Sequence, residues 1–165
     1  MADEGVAEQG AGRLSGISLT TDGTAEDTGN GKDKQTPFRA TERRPTVLVV
    51  DDRESIRRSL IELLGERFRV VAVATFDAAI QATHETPPVA AVVDLNLGWG
   101  TTTGLDLIRA LRNLNPKSRL VVFTGYVDAD HRRQSRDAGA DVIIEKPDTA
   151  SVVRACAAAA DRMAE

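Results

Sequence analysis

Residues 46–52 read Thr46-Val47-Leu48-Val49-Val50-Asp51-Asp52, a run of β-forming residues closed by two acids. A short, unbroken run of this kind fits a strand covered on both faces, as in a parallel sheet flanked by helices. The acidic ending is a separate signal, because packing a strand does not call for paired carboxylates at its tip. Taken alone, the acids could cap a following helix, since aspartate accepts hydrogen bonds from the free amides of a first turn.

Outward from this stretch the same unit recurs. Ile56, Leu60, Leu63 and Leu64 stand three and four residues apart with Arg57, Arg58 and Glu62 between them, which predicts an amphipathic helix with Gly65 as its stop. Val70 to Ala74 predicts a second strand. Phe76 to about Glu85 predicts a second helix, with Ala79, Ile80 and Thr83 on one face and Pro87-Pro88 beyond its end. Val89 to Val93 predicts a third strand, followed by a Gly/Thr-rich loop and a helix carrying Leu105, Ile108 and Leu111, with Leu107 and Leu114 nearby. Leu120 to Phe123 and Val142 to Ile144 predict two more strands. A polar helix over 128–138 and a last helix from Thr149 to Ala164 complete the pattern. Five strand–helix units in about 120 residues imply an α/β fold, a five-stranded parallel sheet wound with helices on both faces. The segment is too short for an eight-fold barrel.

Residues 1–44 differ. They are rich in Gly, Thr, Asp, Glu and Gln and show no sustained apolar period, so they bury too little to offset ordering entropy of roughly 1–2 kcal/mol per residue. They are expected to form a disordered leader ahead of one domain over 45–165. The net charge of −4 argues against a dedicated nucleic-acid binder. No apolar run approaches the roughly 18–20 residues that span a bilayer, so no membrane insertion is expected. The opening MADEGVAEQG lacks the basic-then-apolar pattern of a secretion signal, and the single Cys156 cannot form an internal disulfide, which together point to the cytoplasm. Cys156, in an Ala-rich helical stretch, reads as a small buried hydrophobe.

In open α/β sheets ligand sites lie beyond the carboxyl ends of the strands. The first strand ends in Asp51-Asp52, the third in Asp94 and the fourth in Thr124, and the fifth runs into Lys146-Pro147. Three carboxylates, a hydroxyl and an ammonium would thus meet on one edge. That combination is chemically specific, because packing does not call for acids at several strand ends at once.

The stretches LVVDD, VVDLNL, VVFTG and AGADVIIEKP, in this order, resemble the receiver domain of bacterial two-component signalling, the CheY-like family, over residue 46 to about residue 163. The resemblance implies the flavodoxin-like strand order 2-1-3-4-5. It makes Asp94 the phosphoacceptor, Asp51 and Asp52 the acidic pair that binds Mg²⁺ together with Asp94, and Asn96 the residue whose backbone carbonyl completes the protein's share of the metal ligands. Thr124 becomes the hydroxyl that bonds the phosphoryl group, and Lys146 the lysine that pairs with it, with a cis Lys146-Pro147 bond. The implied function is that of a single-domain response regulator. It would take phosphate from a sensor histidine kinase or a histidine phosphotransfer protein, then switch protein–protein contacts or relay the phosphate. Apart from catalysing its own phosphorylation and dephosphorylation, it would not be an enzyme.

Two features depart from the family pattern. The loop from Leu95 to Gly104, containing Trp99, is about two residues longer than usual, and Ile143 stands where many receivers carry a switch aromatic. Tyr126 is a candidate substitute ring. These departures favour the alternative of a pseudo-receiver, an adaptor that binds partners independently of phosphorylation; the intact Asp51, Asp52, Asp94, Thr124 and Lys146 favour the phosphoacceptor. Gly98, Gly100 and Gly104 fail the dinucleotide spacing because Thr103 occupies the third glycine's place, and no phosphate-loop lysine motif is present. His84 and His131 read as solvated histidines. Arg132, Arg133 and Arg136 form a modest basic patch, and the last two helices offer a surface for a homodimer.

Overall fold

The computed structural model describes residues 44–98 and 102–165. The expected leader and the reading of Trp99 lie outside the described residues. The elements run β1 (Thr46–Val50), α1 (Glu54–Gly65), β2 (Arg69–Val73), α2 (Phe76–Glu85), β3 (Ala90–Val93), α3 (Gly104–Leu114), β4 (Arg119–Thr124), α4 (Ala129–Ala138), β5 (Val142–Glu145) and α5 (Thr149–Ala164). All the strands pair in parallel, in the order β2-β1-β3-β4-β5, so the chain reverses its direction of winding between β1 and β3.

The period-two alternation of the strands divides the core into two layers. Val47, Val49, Val92, Val121 and Phe123 face α1 and α5, where Leu60, Leu64, Val152 and Cys156 cover them. Leu48, Val50, Ala91, Leu120 and Val122 face the opposite layer, where Ala79, Leu107, Ile108, Leu111 and Ala138 pack. Burial on both faces explains why β1 and β3 are continuous apolar runs. Cys156 is fully buried, and desolvation pushes its thiol up to about 12, in line with its reading as a hydrophobe.

Two details depart from the sequence pattern, whereas α1 ends at Gly65 as the pattern predicts, with its C-cap Glu66 still in right-handed helical conformation. The turn is made further on, where the Phe68 N–H donates to the Leu64 carbonyl and the Phe68 ring is buried. On α1 and α3, Leu63 and Leu114 are exposed, and the buried stripe of α3 is Leu107, Ile108 and Leu111. The acids of the first strand do not cap α1: its N-cap is Arg53, which makes no side-chain capping bond.

The start of α3 is tied closely to the end of β3. Thr103 caps the helix through a reciprocal pairing with Asp106, and Gly104 follows as its first residue. A Cβ at Gly104 would lie 2.4 Å from the Asp94 carbonyl oxygen and 2.6 Å from Leu95 Cα. Only glycine permits that approach of helix to strand end.

Candidate functional site

The carboxyl edge of the sheet gathers the residues that the sequence placed at strand ends. Asp51 follows β1 and is 2% exposed; Asp94 follows β3 and is 5% exposed; Asp52 is exposed beside them. One carboxylate oxygen from each of the three lies within 4.8 Å of the others. Lys146, just past β5, reaches across the sheet and donates from Nζ to Asp51 Oδ2 at 2.7 Å and to Asp94 Oδ2 at 2.8 Å. Burial pulls the lysine pKa down, but hydrogen bonds and charge from Asp51 and Asp94 outweigh it and hold the ammonium above its ordinary value. Lys146 is therefore a fixed cation at neutral pH.

The remaining oxygens are held by backbone. Asp51 Oδ1 accepts from the Arg53 N–H at 2.9 Å, and Asp94 Oδ1 accepts from the Asn96 N–H at 3.1 Å. Thr124 closes β4 on the opposite face of the sheet from Phe123 and is 1% exposed. Its Oγ1 is buried without a hydrogen-bond partner. Such a group carries a desolvation cost unless something supplies a partner. The Lys146-Pro147 bond is cis, as the resemblance implied.

These residues suit a divalent metal. Three formal carboxylate charges against one ammonium leave two negative charges in a partly buried pocket. The donor set is all oxygen, which matches a hard cation. Asp52, exposed, provides the solvent side at which bound water would remain.

Sequence reasoning brought these side chains to one edge but missed two that hold them there. Arg57 donates from Nη1 to the backbone carbonyls of Asp51 at 2.8 Å and Asp52 at 3.0 Å, fixing the loop that presents the acids. Its spacing, one helical turn after the pair, was the available signal. Gly104, whose absent Cβ lets α3 approach the end of β3, counts in the sequence only as one of several loop glycines. Tyr126, the candidate substitute ring, is 64% exposed and meets the His131 ring edge-on at 6.0 Å. Ile143 is half-buried and packs against the α2–α4 layer. Of the basic residues on α4, all exposed, Arg133 pairs with Asp130.

The fold and site together define an α/β module: a doubly wound parallel sheet with a lysine-bridged carboxylate cluster at its carboxyl edge, where ligand sites of such sheets lie. The chain belongs to the response regulator receiver domain family, whose model matches residues 47–157. It is 36% identical over 112 residues to the photosynthetic apparatus regulatory protein RegA of Rhodovulum sulfidophilum, covering 67% of this chain and 60% of that protein. It is 35% identical over 102 residues to the transcriptional regulatory protein KdpE of Mycobacterium tuberculosis, covering 61% of this chain and 44% of that protein. The chain thus spans roughly half the length of these relatives. Among solved structures, a response regulator protein from Burkholderia pseudomallei with a phosphorylated aspartic acid, calcium ion and citrate matches with a TM-score of 0.63 at 31% identity, over 73% of this chain and 71% of that one. A CheY-like receiver domain protein from Methanospirillum hungatei shares the fold with a TM-score of 0.63 at 23% identity, over 72% of this chain and 98% of that one. The family is that of two-component signalling, and among the described residues no helix is long and apolar enough to cross a membrane.

Proposed function

We propose that this receiver is a phosphorylation switch in which Asp94 accepts a phosphoryl group from a phosphohistidine of a sensor histidine kinase or histidine phosphotransfer protein. The observation that carries the reading is the single ammonium of Lys146 bonded to Asp51 and Asp94 together. In the reaction a carboxylate oxygen of Asp94 forms a bond to phosphorus as the donor's nitrogen–phosphorus bond breaks. The imidazole leaves, and an acyl phosphate remains on the aspartate. Such a transfer asks the protein chiefly for position and charge stabilisation.

Each residue has a part in that task. The Asn96 N–H and Lys146 fix the two oxygens of Asp94 from different sides. Lys146 can leave the carboxylate for an incoming phosphoryl oxygen while remaining paired with Asp51. The Thr124 hydroxyl, buried and without a partner, is available as a donor to the same group. Asp51, Asp52 and Asp94, with the backbone carbonyl of Asn96, would hold Mg²⁺, which would neutralise charge between the acids and the phosphoryl oxygens. The calcium ion named with the Burkholderia pseudomallei protein supports a divalent cation in the family.

The chain acts on this reading as a phosphoacceptor that changes its protein contacts or passes the phosphate on, and not as an enzyme with a separate substrate. The regulatory roles named for RegA and KdpE belong to proteins that extend beyond the shared stretch. Incubation with acetyl phosphate and Mg²⁺ should add one phosphoryl group by intact mass, abolished in Asp94→Asn and by chelation of the metal. An unmodified wild-type chain would instead favour the pseudo-receiver adaptor, the reading to which Ile143 lends support. A label retained on Asp94→Asn would move the acceptor elsewhere.

A further inference from the structure

The row of side chains that carries the charge cluster includes one aromatic ring. Along β1, Val47 and Val49 face the α1–α5 layer, and Asp51 continues that alternation. Ala90 and Val92 lead in the same way to Asp94, and Ile144 leads to Lys146. The strand between them, β4, contributes Phe123 to this layer. Val50 pairs with Val93 and Val93 with Val122, so the next step across the sheet runs Asp51, Asp94, Phe123. Phe123 and Thr124 therefore approach the cluster from opposite faces of the sheet.

The Lys146 ammonium stands 5.7 Å from the centroid of the Phe123 ring while it donates to Asp51 and Asp94. An ammonium has three N–H groups, and the carboxylates take two. A cation within about 6 Å of a ring centroid and over its face is attracted by the ring quadrupole, more strongly where water is excluded. Phe123 is 2% exposed and the Lys146 side chain 13%, so this contact is largely shielded. The four-carbon lysine stem is flexible and does not by itself fix where the charge rests. A leucine or valine at position 123 would fill the space without offering a negative face.

We propose that Phe123 is a positioning residue for Lys146: its ring holds the ammonium at the junction of Asp51 and Asp94, where it meets a phosphoryl group arriving on Asp94. The functional half of this inference rests on the phosphoacceptor reading; the contact itself does not. Phe123→Leu and Phe123→Met keep apolar volume and remove the ring. Each is expected to slow phosphorylation by acetyl phosphate and Mg²⁺ about three- to tenfold, the size of a shielded cation–ring contact. In a Lys146→Ala background the same substitutions should slow the reaction no further, because their effect passes through the ammonium. In wild-type protein the Lys146 side-chain methylene proton resonances should be displaced upfield by the ring, and Phe123→Leu should abolish the displacement.

Equal slowing with and without Lys146 would make Phe123 merely structural and overturn the inference. Undisplaced resonances in the wild type would overturn it as well, even if no variant folded. Wild-type protein that takes up no phosphoryl group would overturn the phosphoacceptor reading and the functional half with it. Displaced Lys146 resonances in that same sample would still uphold the contact.

Discussion

At the amino edge of the sheet, Arg112 places all five of its N–H groups. Nε donates to the Gly139 carbonyl at 3.2 Å; Nη1 donates to the Pro116 and Ser118 carbonyls at 2.7 and 3.0 Å. Nη2 donates to Gly139 O at 2.8 Å and to Asp141 Oδ2 at 2.6 Å, and that same oxygen also accepts from the Leu120 N–H. At the carboxyl edge, three carboxylates cluster beside one ammonium that bonds two of them, Asp51 and Asp94, and the Thr124 hydroxyl has no partner. The Arg112 guanidinium is saturated and joins α3, β4 and β5, although Ser118 Oγ and Arg119 Nε beside it are buried without a partner; the carboxyl edge differs in setting its unpartnered hydroxyl beside excess negative charge. A buried group left unsatisfied costs stability at either edge, but only at the carboxyl edge does it stand beside an acidic cluster of the kind that binds cations.

Substitutions at the two edges should accordingly separate stability from chemistry. The largest expected loss of stability is at Arg112, whose N–H groups are all bonded. Arg112→Ala strands several carbonyls and the Asp141 carboxylate, and should lower the unfolding free energy by about 2–4 kcal/mol in urea titration. Below the unfolding transition it should leave the rate of phosphorylation by acetyl phosphate within about twofold. Arg112→Lys keeps the charge but not the planar fork, and should recover less than half of the loss. A phosphorylation defect in folded Arg112→Ala would break the separation between the edges.

Gly104→Ala comes next and should affect both properties. The added carbon meets the Asp94 carbonyl and Leu95 Cα, so the helix or the strand end must shift, at a cost of about 1–3 kcal/mol. Because the displaced backbone carries Asp94, phosphorylation should fall as well, and more than thermal stability alone accounts for. Loss of stability with an unchanged phosphorylation rate would separate α3 from the site.

The smallest effect belongs to neither edge's core. The Thr103 backbone and side chain hold Asp106 below its ordinary value of 3.8. The His131 N–H and ring do the same for Asp128, and the Ser151 hydroxyl and N–H for Asp148. A carboxylate depressed in the folded state stabilises fully above its unfolded pKa, and that contribution is lost as pH falls through the lower folded value. Melting temperature should therefore begin to drop below about pH 4 as the starts of α3, α4 and α5 lose their charged acceptors. Asp128→Asn and Asp148→Asn, which still cap but do not titrate, should make that decline shallower in melts recorded downward from about pH 5. Undiminished acid sensitivity in both variants would show that the decline does not come from these helix starts.

Which of these features could be read from sequence follows from the range of the forces involved. Asp51, Asp94 and Lys146 were legible because each terminates an apolar strand, and parallel strands must end on one edge. Arg112 was not, because a single arginine on an amphipathic helix looks like a solvated charge, while Gly139 and Asp141 lie 27 and 29 residues away. Leu63 and Leu114 share the spacing of buried positions, yet face outward because a helix of whole turns offers more apolar sites than the sheet can cover. Phe123 passed as ordinary core, since its second contact depends on a lysine arriving from another strand.

The hydrogen bonds to Asp94 have a mechanical consequence. With a backbone amide on one oxygen and a lysine on the other, the carboxylate plane is pinned at both corners, like a plate held by two bolts. Rotation about its terminal bond is suppressed before any donor arrives. A reacting partner then meets an oxygen with a settled heading, and the entropy of aiming has been surrendered during folding rather than at the moment of encounter.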